Sequence, residues 1–349
     1  MSLANAVGQL DGFVRVHFAF FTSLWALLGA ASVGQDTSWT RLILLLVAVA
    51  CFHVYAFVLN DVIDLPRDRA NPSRQRDPLV RGIVRPKAAL AIALAQPLIT
   101  IPITIQLGGG WAAHATMAVA CLAGAIYNVW GKRCPAPPLT EFVQGIAWGA
   151  LALHAAHALG ARPNALTWLV FWYGVAYTLF MNGVHGGLRD LASDFECGAR
   201  TTAIVLGARP GTPGHDPHVP LAVAAFGWAT LLLLVALNVV IVVRNDFGYD
   251  LGEWRATALV VGALIAGAVL LEPLVVRPRG QVWNVAFRLQ MFLVIMSLPA
   301  AFVAFINIRT LLLLSVLMLV SMALLEWTPA IARWALHPHG RRRPDTVTS

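Results

Sequence analysis

Two clusters of aspartates follow long apolar segments of the chain. The first is NDVIDLPRD at residues 60–68, directly after LILLLVAVACFHVYAFVL, and the second lies in HGGLRDLASDFECGART at residues 185–201. The aspartates are Asp61, Asp64, Asp68, Asp190 and Asp194. Offsets of three and four residues place the first three on one helical face and the last two one turn apart. Like charges on one face repel each other, so either the neighbouring arginines or a metal ion must compensate them.

The chemistry of the clusters suits a hard cation. Their carboxylates have no cysteine interleaved between them and no histidine at ligand spacing. Mg²⁺ in proteins takes one or two carboxylates, keeps several waters and accepts phosphate oxygens. One such cluster is more often a solvated loop paired with its own arginines, but two matched clusters at the ends of apolar segments favour a functional site. The sequence therefore predicts a diphosphate held through Mg²⁺, and the surrounding hydrocarbon predicts that this diphosphate carries a lipid tail.

The composition is that of a membrane protein. The 349 residues are 58% hydrophobic and only 12% charged, whereas soluble domains carry roughly 25% charged residues. Apolar runs of about 20 residues can cross a bilayer. We predict ten such spans, with nine as the alternative: 13–33, 41–60, 87–107, 111–130, 139–159, 165–186, 219–243, 256–276, 286–306 and 310–328. We expect one transmembrane domain over residues 1–335, a basic cytoplasmic tail over 336–349 and no removable signal peptide.

The basic residues follow the predicted membrane topology. Most of the 25 lysines and arginines fall on one side, which the positive-inside rule assigns to the cytoplasm. The exceptions are Arg41, Arg162, Arg244, Arg255 and Arg309. The net charge of +8 therefore indicates orientation in a lipid bilayer and no nucleic-acid partner, and the loops that carry the acidic clusters are expected in the cytoplasm. The four cysteines have no CxxC spacing, which argues against a disulfide framework or a zinc site.

Three segments resemble the UbiA family of intramembrane prenyltransferases. Asn60-Asp61-x-x-Asp64-x-x-x-Asp68 followed by Asn71-Pro72 is similar to the first aspartate-rich motif of that family. Asp190-x-x-x-Asp194-x-x-x-Gly198-x-Arg200 is similar to the second, and AIYNVWGKR at residues 125–133 is similar to the tyrosine-containing basic segment between them. The resemblance implies an all-α integral membrane fold, a bundle of nine to ten transmembrane helices around a central cavity with cytoplasmic cap loops.

The resemblance also implies roles for individual residues. The implied Mg²⁺ ligands are Asp61, Asp64, Asp68, Asp190 and Asp194, of which Asp68 could instead orient a basic partner. The implied substrate-binding residues are Asn60, Arg67, Asn71, Tyr127, Asn128, Arg189 and Arg200. We expect Lys132 to act in catalysis by contacting the diphosphate together with Arg200, with Arg67 and Arg189 behind them. One departure is Pro66, which removes a helical hydrogen bond and leaves open a new turn for Asp68.

Two histidines within apolar segments are candidates to contact the second substrate. His53 precedes Asn60 by seven residues on roughly the same helical face, and His185 precedes the second cluster. A buried histidine is more often a hydrogen-bonded packing residue than a ligand. Arg15, early in the first span, could pair with a carboxylate of the acceptor or mark the cytoplasmic boundary.

These expectations combine into one reaction. A prenyl group would pass from a polyprenyl diphosphate to a small, aromatic acceptor while Mg²⁺ stabilises the leaving group. A terpene cyclase of the same family is the alternative, because ionisation of the diphosphate is common to both reactions. A cation transporter would place its acidic residues near the bilayer midplane, whereas these lie at the ends of spans beside basic residues. The acceptor, the prenyl chain length and the oligomeric state are left open.

Overall fold

The protein is helical throughout the part that the structure describes. The computed structural model describes residues 3–34, 37–69, 74–75, 77–211, 216–243, 251–277 and 280–336. Within these ranges the only β-type pairing is one isolated antiparallel bridge between Arg209 and His218. The all-α class predicted from the sequence is therefore confirmed.

The helices follow the apolar segments of the sequence. In chain order they are α1 (Leu3–Val14), α2 (Ala19–Ser32), α3 (Trp39–Asp68), α4 (Pro86–Gln106), α5 (Trp111–Trp130), α6 (Pro137–Ala158), α7 (Ala165–Phe180), α8 (Gly187–Arg189), α9 (Leu191–Glu196), α10 (Thr202–Val205), α11 (Leu221–Val243), α12 (Leu251–Val275), α13 (Gly280–Ala301) and α14 (Ile308–Leu336). A 3-10 helix, Val16–Phe18, joins α1 to α2, and a π-helix, Met181–Gly186, joins α7 to α8.

Several of these helices are long and apolar enough to cross a membrane. Within the described ranges there are six: Trp39–Asp68, Pro86–Gln106, Trp111–Trp130, Leu221–Val243, Trp254–Val275 and Val282–Ala301. A further candidate is the bent pair Val7–Val14 and Val16–Ser32, whose two parts meet at 59°. These helices indicate a multi-pass integral membrane protein.

The predicted number of nine to ten spans is not confirmed. α6 covers one predicted span, but it carries polar side chains that lower its hydropathy, among them Glu141, Gln144 and His154. α7 covers another, but it has only 16 residues because the chain continues as a π-helix.

Glycines allow the central helices to pack closely. A Cβ atom on Gly29 of α2 would lie 2.4 Å from the carbonyl oxygen of Ala152 in α6. A Cβ atom on Gly145 of α6 would lie 2.6 Å from the Cα atom of Val175 in α7. Such close backbone approach is typical of packed membrane helices with small residues at their contacts. α6 is therefore held tightly between α2 and α7.

The helix that carries the first acidic cluster continues through its proline. α3 runs for 30 residues from Trp39 to Asp68 with Pro66 inside it. The new turn considered for Asp68 does not form, and the backbone N–H of Arg69 still donates to the carbonyl of Leu65 at 3.1 Å. Pro66 removes a single backbone donor close to the end of the helix, where few further bonds depend on it. Asp68 therefore stays on the helical face of the first cluster.

Candidate active site

The two acidic clusters meet at one lysine. The Nζ atom of Lys132 lies 3.3 Å from Oδ1 of Asp194 and 3.9 Å from Oδ2 of Asp64. Lys132 follows the end of α5, and its carbonyl accepts a hydrogen bond of 3.0 Å from the backbone N–H of Arg200. That bond ties the turn after α5 to the end of the second cluster. Carboxylates 130 positions apart in the chain thus reach the same ammonium group.

The first cluster is buried at the end of α3. The exposed fraction is 6% for Asp61 and 9% for Asp64. Arg67 donates to Oδ1 of Asp64 at 3.3 Å, so this carboxylate has a cation on each side. The Nδ2 atom of Asn60 lies 3.5 Å from Oδ2 of Asp64 and donates to Oδ1 of Asn128 at 3.3 Å. The two asparagines therefore join α3 to α5 beside the acidic cluster.

Two further arginines pair with the first cluster. Arg15 forms a salt bridge with Asp61, and its guanidinium carbon lies 5.3 Å from the centre of the Phe57 ring. Arg74 donates to Asp77 at 3.0 Å and lies 4.0 Å from Asp68. Burial disfavours the charge of Arg74, but the carboxylates of Asp68, Asp61 and Asp77 outweigh it and raise the pKa of the guanidinium. Arg74 was missed in the sequence because it resembles the other loop arginines.

The second cluster has one buried and one accessible aspartate. Asp194 is only 8% exposed. Burial raises the pKa of its carboxyl group, and the Lys132 ammonium opposes that shift. Asp190 is less buried and forms two hydrogen bonds with its neighbour Arg189, at 2.9 and 2.7 Å. The side chain of Arg200, at the end of this segment, is exposed.

The helix that leads into the second cluster is irregular. The π-helix Met181–Gly186 precedes α8, and Asp190 has non-helical backbone angles between α8 and α9. π-helical turns are rare and often occur at functional sites. In this turn Asn182 donates to Oε1 of Gln144 and lies 3.4 Å from the hydroxyl of Tyr127. Tyr127, expected at the site, thus belongs to a polar group that spans α5, α6 and the π-helix.

A buried glutamate lies behind the second cluster. Glu141 of α6 is 5% exposed, and its Oε1 atom accepts a hydrogen bond of 2.8 Å from the hydroxyl of Thr202. Its Oε2 atom has no hydrogen-bond partner among the described residues. An acidic residue within an apolar segment often belongs to a functional site. Glu141 could have been identified from the sequence on that ground.

The two histidines expected near the acceptor are both buried in contacts with protein groups. His53 lies between the hydroxyl of Thr22 at 2.7 Å and the carbonyl of Val14 at 2.8 Å. His185 contacts Oε1 of Gln290 at 2.9 Å, and the amide of Gln290 donates to Glu272 at 2.7 Å. Asn71, also expected at the site, lies outside the described residues.

The aspartate carboxylates of the two clusters are suited to a Mg²⁺ ion that binds together with a phosphate group. Within the described ranges no three acidic, histidine or cysteine side chains are grouped closely enough to hold a metal ion alone. Instead Asp61, Asp64 and Asp194 are buried carboxylates that each face a basic side chain. Mg²⁺ with one or two carboxylates, waters and phosphate oxygens suits such an arrangement. The same basic side chains are suited to the negative charge of a diphosphate.

Comparison with known proteins gives one consistent family. The sequence profile of the UbiA prenyltransferase family matches residues 19–271. A 4-hydroxybenzoate octaprenyltransferase of Aeromonas salmonicida is 26% identical over 234 residues, which cover 66% of this chain and 74% of that protein.

Two solved structures share the fold. The apo structure of a UbiA homolog from Aeropyrum pernix superposes with a TM-score of 0.61 at 21% identity, covering 83% of this chain and 98% of that one. A UbiA homolog from Archaeoglobus fulgidus bound to DMAPP and Mg²⁺ gives a TM-score of 0.59 at 15% identity, covering 86% and 99% of the two chains.

The matched region includes both acidic clusters and the lysine between them. It extends from the start of α2 to the last turns of α12, and so covers most of the described helices. The protein is therefore a membrane prenyltransferase that belongs to the UbiA prenyltransferase family.

Proposed function

We propose that the protein transfers a prenyl group from a polyprenyl diphosphate to a small aromatic acceptor, in a reaction that depends on Mg²⁺. The observation that carries this proposal is the position of Lys132 between Asp64 and Asp194. With Lys132 in this position, carboxylates of both acidic clusters and a basic side chain could all act on one bound diphosphate. Transfer at such a site needs cations and metal ligands together, because the leaving diphosphate is multiply charged.

Two sets of residues would share the diphosphate site. We assign Mg²⁺ binding to the carboxylates of the two clusters, Asp61, Asp64, Asp68, Asp190 and Asp194. Diphosphate oxygens would complete the coordination, because among the described residues no three such side chains are grouped closely enough to hold the ion alone. Bound Mg²⁺ would supply charge stabilisation to the diphosphate as it leaves. Lys132, Arg67, Arg189 and the exposed Arg200 would bind the diphosphate oxygens directly or through water. Lys132, Arg67 and Arg189 would then release the carboxylates that they now contact. The hydrogen bond between the amides of Asn60 and Asn128 links α3 to α5, and the Asn60 amide also lies beside the Asp64 carboxylate.

The chemistry is an electrophilic substitution. The bond between the prenyl carbon and diphosphate oxygen breaks with its electron pair on oxygen, and an aromatic carbon of the acceptor forms the new carbon–carbon bond. The ring then loses a proton to water or a weak base. An allylic cation needs shelter from water and is steadied by aromatic faces. Phe57 stacks on Phe18 at 5.6 Å and packs against Trp148 at 6.0 Å, close to Asp61.

The acceptor that fits best is an aromatic acid of the 4-hydroxybenzoate type. The relative described above is named as a 4-hydroxybenzoate octaprenyltransferase, and the rings of Phe18, Phe57 and Trp148 give an aromatic acceptor faces against which to pack. We also propose that the bundle follows the family with nine to ten transmembrane spans around a central cavity, and that the loops with the acidic clusters face the cytoplasm.

Mass spectrometry of reaction products tests the proposal. Purified protein would be incubated with Mg²⁺, 4-hydroxybenzoate and geranyl, farnesyl or longer prenyl diphosphates. The expected product has the mass of the acceptor plus the prenyl group less one hydrogen. A cyclic hydrocarbon formed from the diphosphate alone would instead identify a terpene cyclase, and the absence of both products would refute the proposal.

Matched variants connect the activity to the site. Asp64→Asn and Asp194→Asn should each lower turnover by about 100-fold or more, because each removes a charge that acts on the reacting group. Glu196→Gln makes the same chemical change on an exposed residue of α9, and it should leave turnover unchanged. Equal losses in all three variants would point to damage to the fold and not to the site.

A further inference from the structure

We propose that His53 is a positioning residue that acts through the backbone of Arg15. It holds the corner between α1 and α2 so that the Arg15 guanidinium reaches Asp61. The inference rests on the proposed function, in which Asp61 belongs to the site for Mg²⁺ and diphosphate. It assigns His53 a different task from contact with a substrate.

Arg15 has an uncommon backbone conformation. Its φ and ψ are 54° and 50°, and it is the only non-glycine residue with positive φ in the described part of the chain. Residues with a Cβ atom rarely adopt this left-handed conformation. Such residues persist only where the surrounding structure fixes them, and they cluster at functional sites. Arg15 lies at the break between α1 and the 3-10 helix, where the two parts of the bent pair meet.

His53 binds both sides of this corner. Its Nε2 atom lies 2.8 Å from the carbonyl oxygen of Val14 and 3.2 Å from that of Arg15. Carbonyl oxygens only accept hydrogen bonds, so Nε2 must carry the hydrogen. Nδ1 is then an acceptor, and the hydroxyl of Thr22 donates to it at 2.7 Å. Both ring nitrogens of this buried histidine are therefore occupied by protein groups, which leaves no polar atom for a substrate.

One face of α3 contacts three parts of Arg15. His53, Phe57 and Asp61 follow each other at intervals of four residues, which places them in one row. His53 binds the carbonyl of Arg15, the ring of Phe57 lies 5.3 Å from its guanidinium carbon, and Asp61 pairs with its charge. The helix that supplies the first acidic cluster therefore also fixes the cation that faces it.

A second anchor holds Arg15 from the other side. Its backbone N–H donates to the carbonyl of Asp11 at 2.7 Å. The carboxylate of Asp11 accepts hydrogen bonds from the backbone and the ring of His17, at 2.9 Å each. Because this anchor lies within the N-terminal segment, it does not connect the corner to α3, whereas the hydrogen bonds from His53 to the carbonyls of Val14 and Arg15 do. Without His53, residues 14 and 15 can relax and withdraw the guanidinium from Asp61.

A double-mutant cycle tests this relation. Binding of farnesyl S-thiolodiphosphate, an unreactive analogue, would be measured by calorimetry in the presence of Mg²⁺. His53→Phe and Arg15→Ala should each weaken binding by about tenfold, the scale of one hydrogen bond to a charged group, because the Arg15 guanidinium beside Asp61 would otherwise face the bound diphosphate. The double variant should bind no more weakly than Arg15→Ala alone, because His53 acts only through Arg15. His53→Gln, which keeps an N–H donor on a side chain of similar reach, should restore most of the affinity.

Two further variants separate positioning from general damage. His154 is another fully buried histidine, with a hydrogen bond to the carbonyl of Ala113, so His154→Phe should lower the melting temperature and leave analogue binding unchanged. Thr22→Val keeps the His53 ring but removes the bond that fixes its orientation, and it should weaken binding less than His53→Phe. It remains informative if His53→Phe fails to fold.

Three results would overturn the inference. Losses that multiply in the double variant would show that His53 acts independently of Arg15. A His53 variant that raises only the KM for the acceptor would identify His53 as an acceptor ligand. A wild-type protein that does not bind the analogue would refute the proposed function and this inference together, whereas wild-type binding with multiplied losses refutes the inference alone.

Discussion

Replacement of Lys132 by methionine should change metal affinity and turnover in opposite directions. Methionine has a similar length but no charge, so the change removes the ammonium that lies 3.3 Å from Asp194 and 3.9 Å from Asp64. Without a substrate, two carboxylates lose their shared counter-ion. With a bound diphosphate, the leaving group loses a basic contact.

The geometry sets the size of both effects. Opposite charges about 4 Å apart attract by roughly 4 kcal/mol at an effective dielectric constant of about 20. The Lys132 side chain is 35% exposed, and solvent screening lowers each pair to about 1 kcal/mol. Loss of two pairs should therefore tighten the binding of Mg²⁺ alone by up to about 30-fold. Turnover should fall by about 100-fold, the usual effect of removing one group that stabilises developing negative charge.

The assay combines calorimetric titration of Mg²⁺ with product formation measured by mass spectrometry. Arg133→Met is the matched control, because Arg133 is the adjacent basic residue and its side chain is exposed. It changes the net charge equally and should alter neither quantity by more than about twofold. Wild-type turnover in Lys132→Met, or weaker Mg²⁺ binding in that variant, would refute the assignment of Lys132.

Three other predictions concern packing, a buried bond and the metal. Gly29→Val should destabilise the protein by about 3 kcal/mol or fold poorly, because the new side chain meets the backbone of Ala152. Thermal unfolding in detergent would show this, with Gly262→Val as the tolerant control, because a Cβ atom on Gly262 would have no other atom within 4 Å. Thr202→Val should lower the free energy of unfolding by about 1–3 kcal/mol in the same assay, since it removes the hydrogen bond to Oε1 of the buried Glu141, whose Oε2 atom already has no partner among the described residues. An unchanged melting temperature would contradict this. Removal of divalent ions with a chelator should abolish turnover and added Mg²⁺ should restore it, so that full activity in chelated buffer would disprove the role of the metal.

The sequence was sufficient to predict where the helices lie and which of them carry acidic clusters. Apolar runs of this length have few alternatives to a helix, because the bilayer leaves no partner for exposed backbone groups. The number of crossings was harder to predict, because α6 and α7 mix polar residues and irregular turns with their apolar residues. The new turn that Pro66 left open for Asp68 does not form for a local reason, since the lost bond falls close to the end of α3.

The partners of the charged residues could not be predicted in the same way. The sequence places Arg74 and Arg67 in one basic segment, but only the folded chain pairs Arg74 with Asp68 and Asp77. His53 was predicted to lie on roughly the same face as Asn60, but the sequence did not indicate that its ring contacts the carbonyls of Val14 and Arg15 in the N-terminal corner. Which side chains of distant segments pair depends on how each helix is rotated about its axis, and that rotation cannot be predicted from a single sequence.

The balance of charge at the site has a consequence for the order of events in turnover. The five aspartates of the two clusters and Asp77 face five basic side chains, Arg15, Arg67, Arg74, Lys132 and Arg189. Under the proposed function, a nearly neutral resting state would attract neither a free metal ion nor a free pyrophosphate strongly, but it would exchange its internal pairs for a metal–diphosphate complex that enters as one unit. After transfer of the prenyl group, the re-formation of these pairs would favour departure of the inorganic product and would return the enzyme to its starting state without an external energy source.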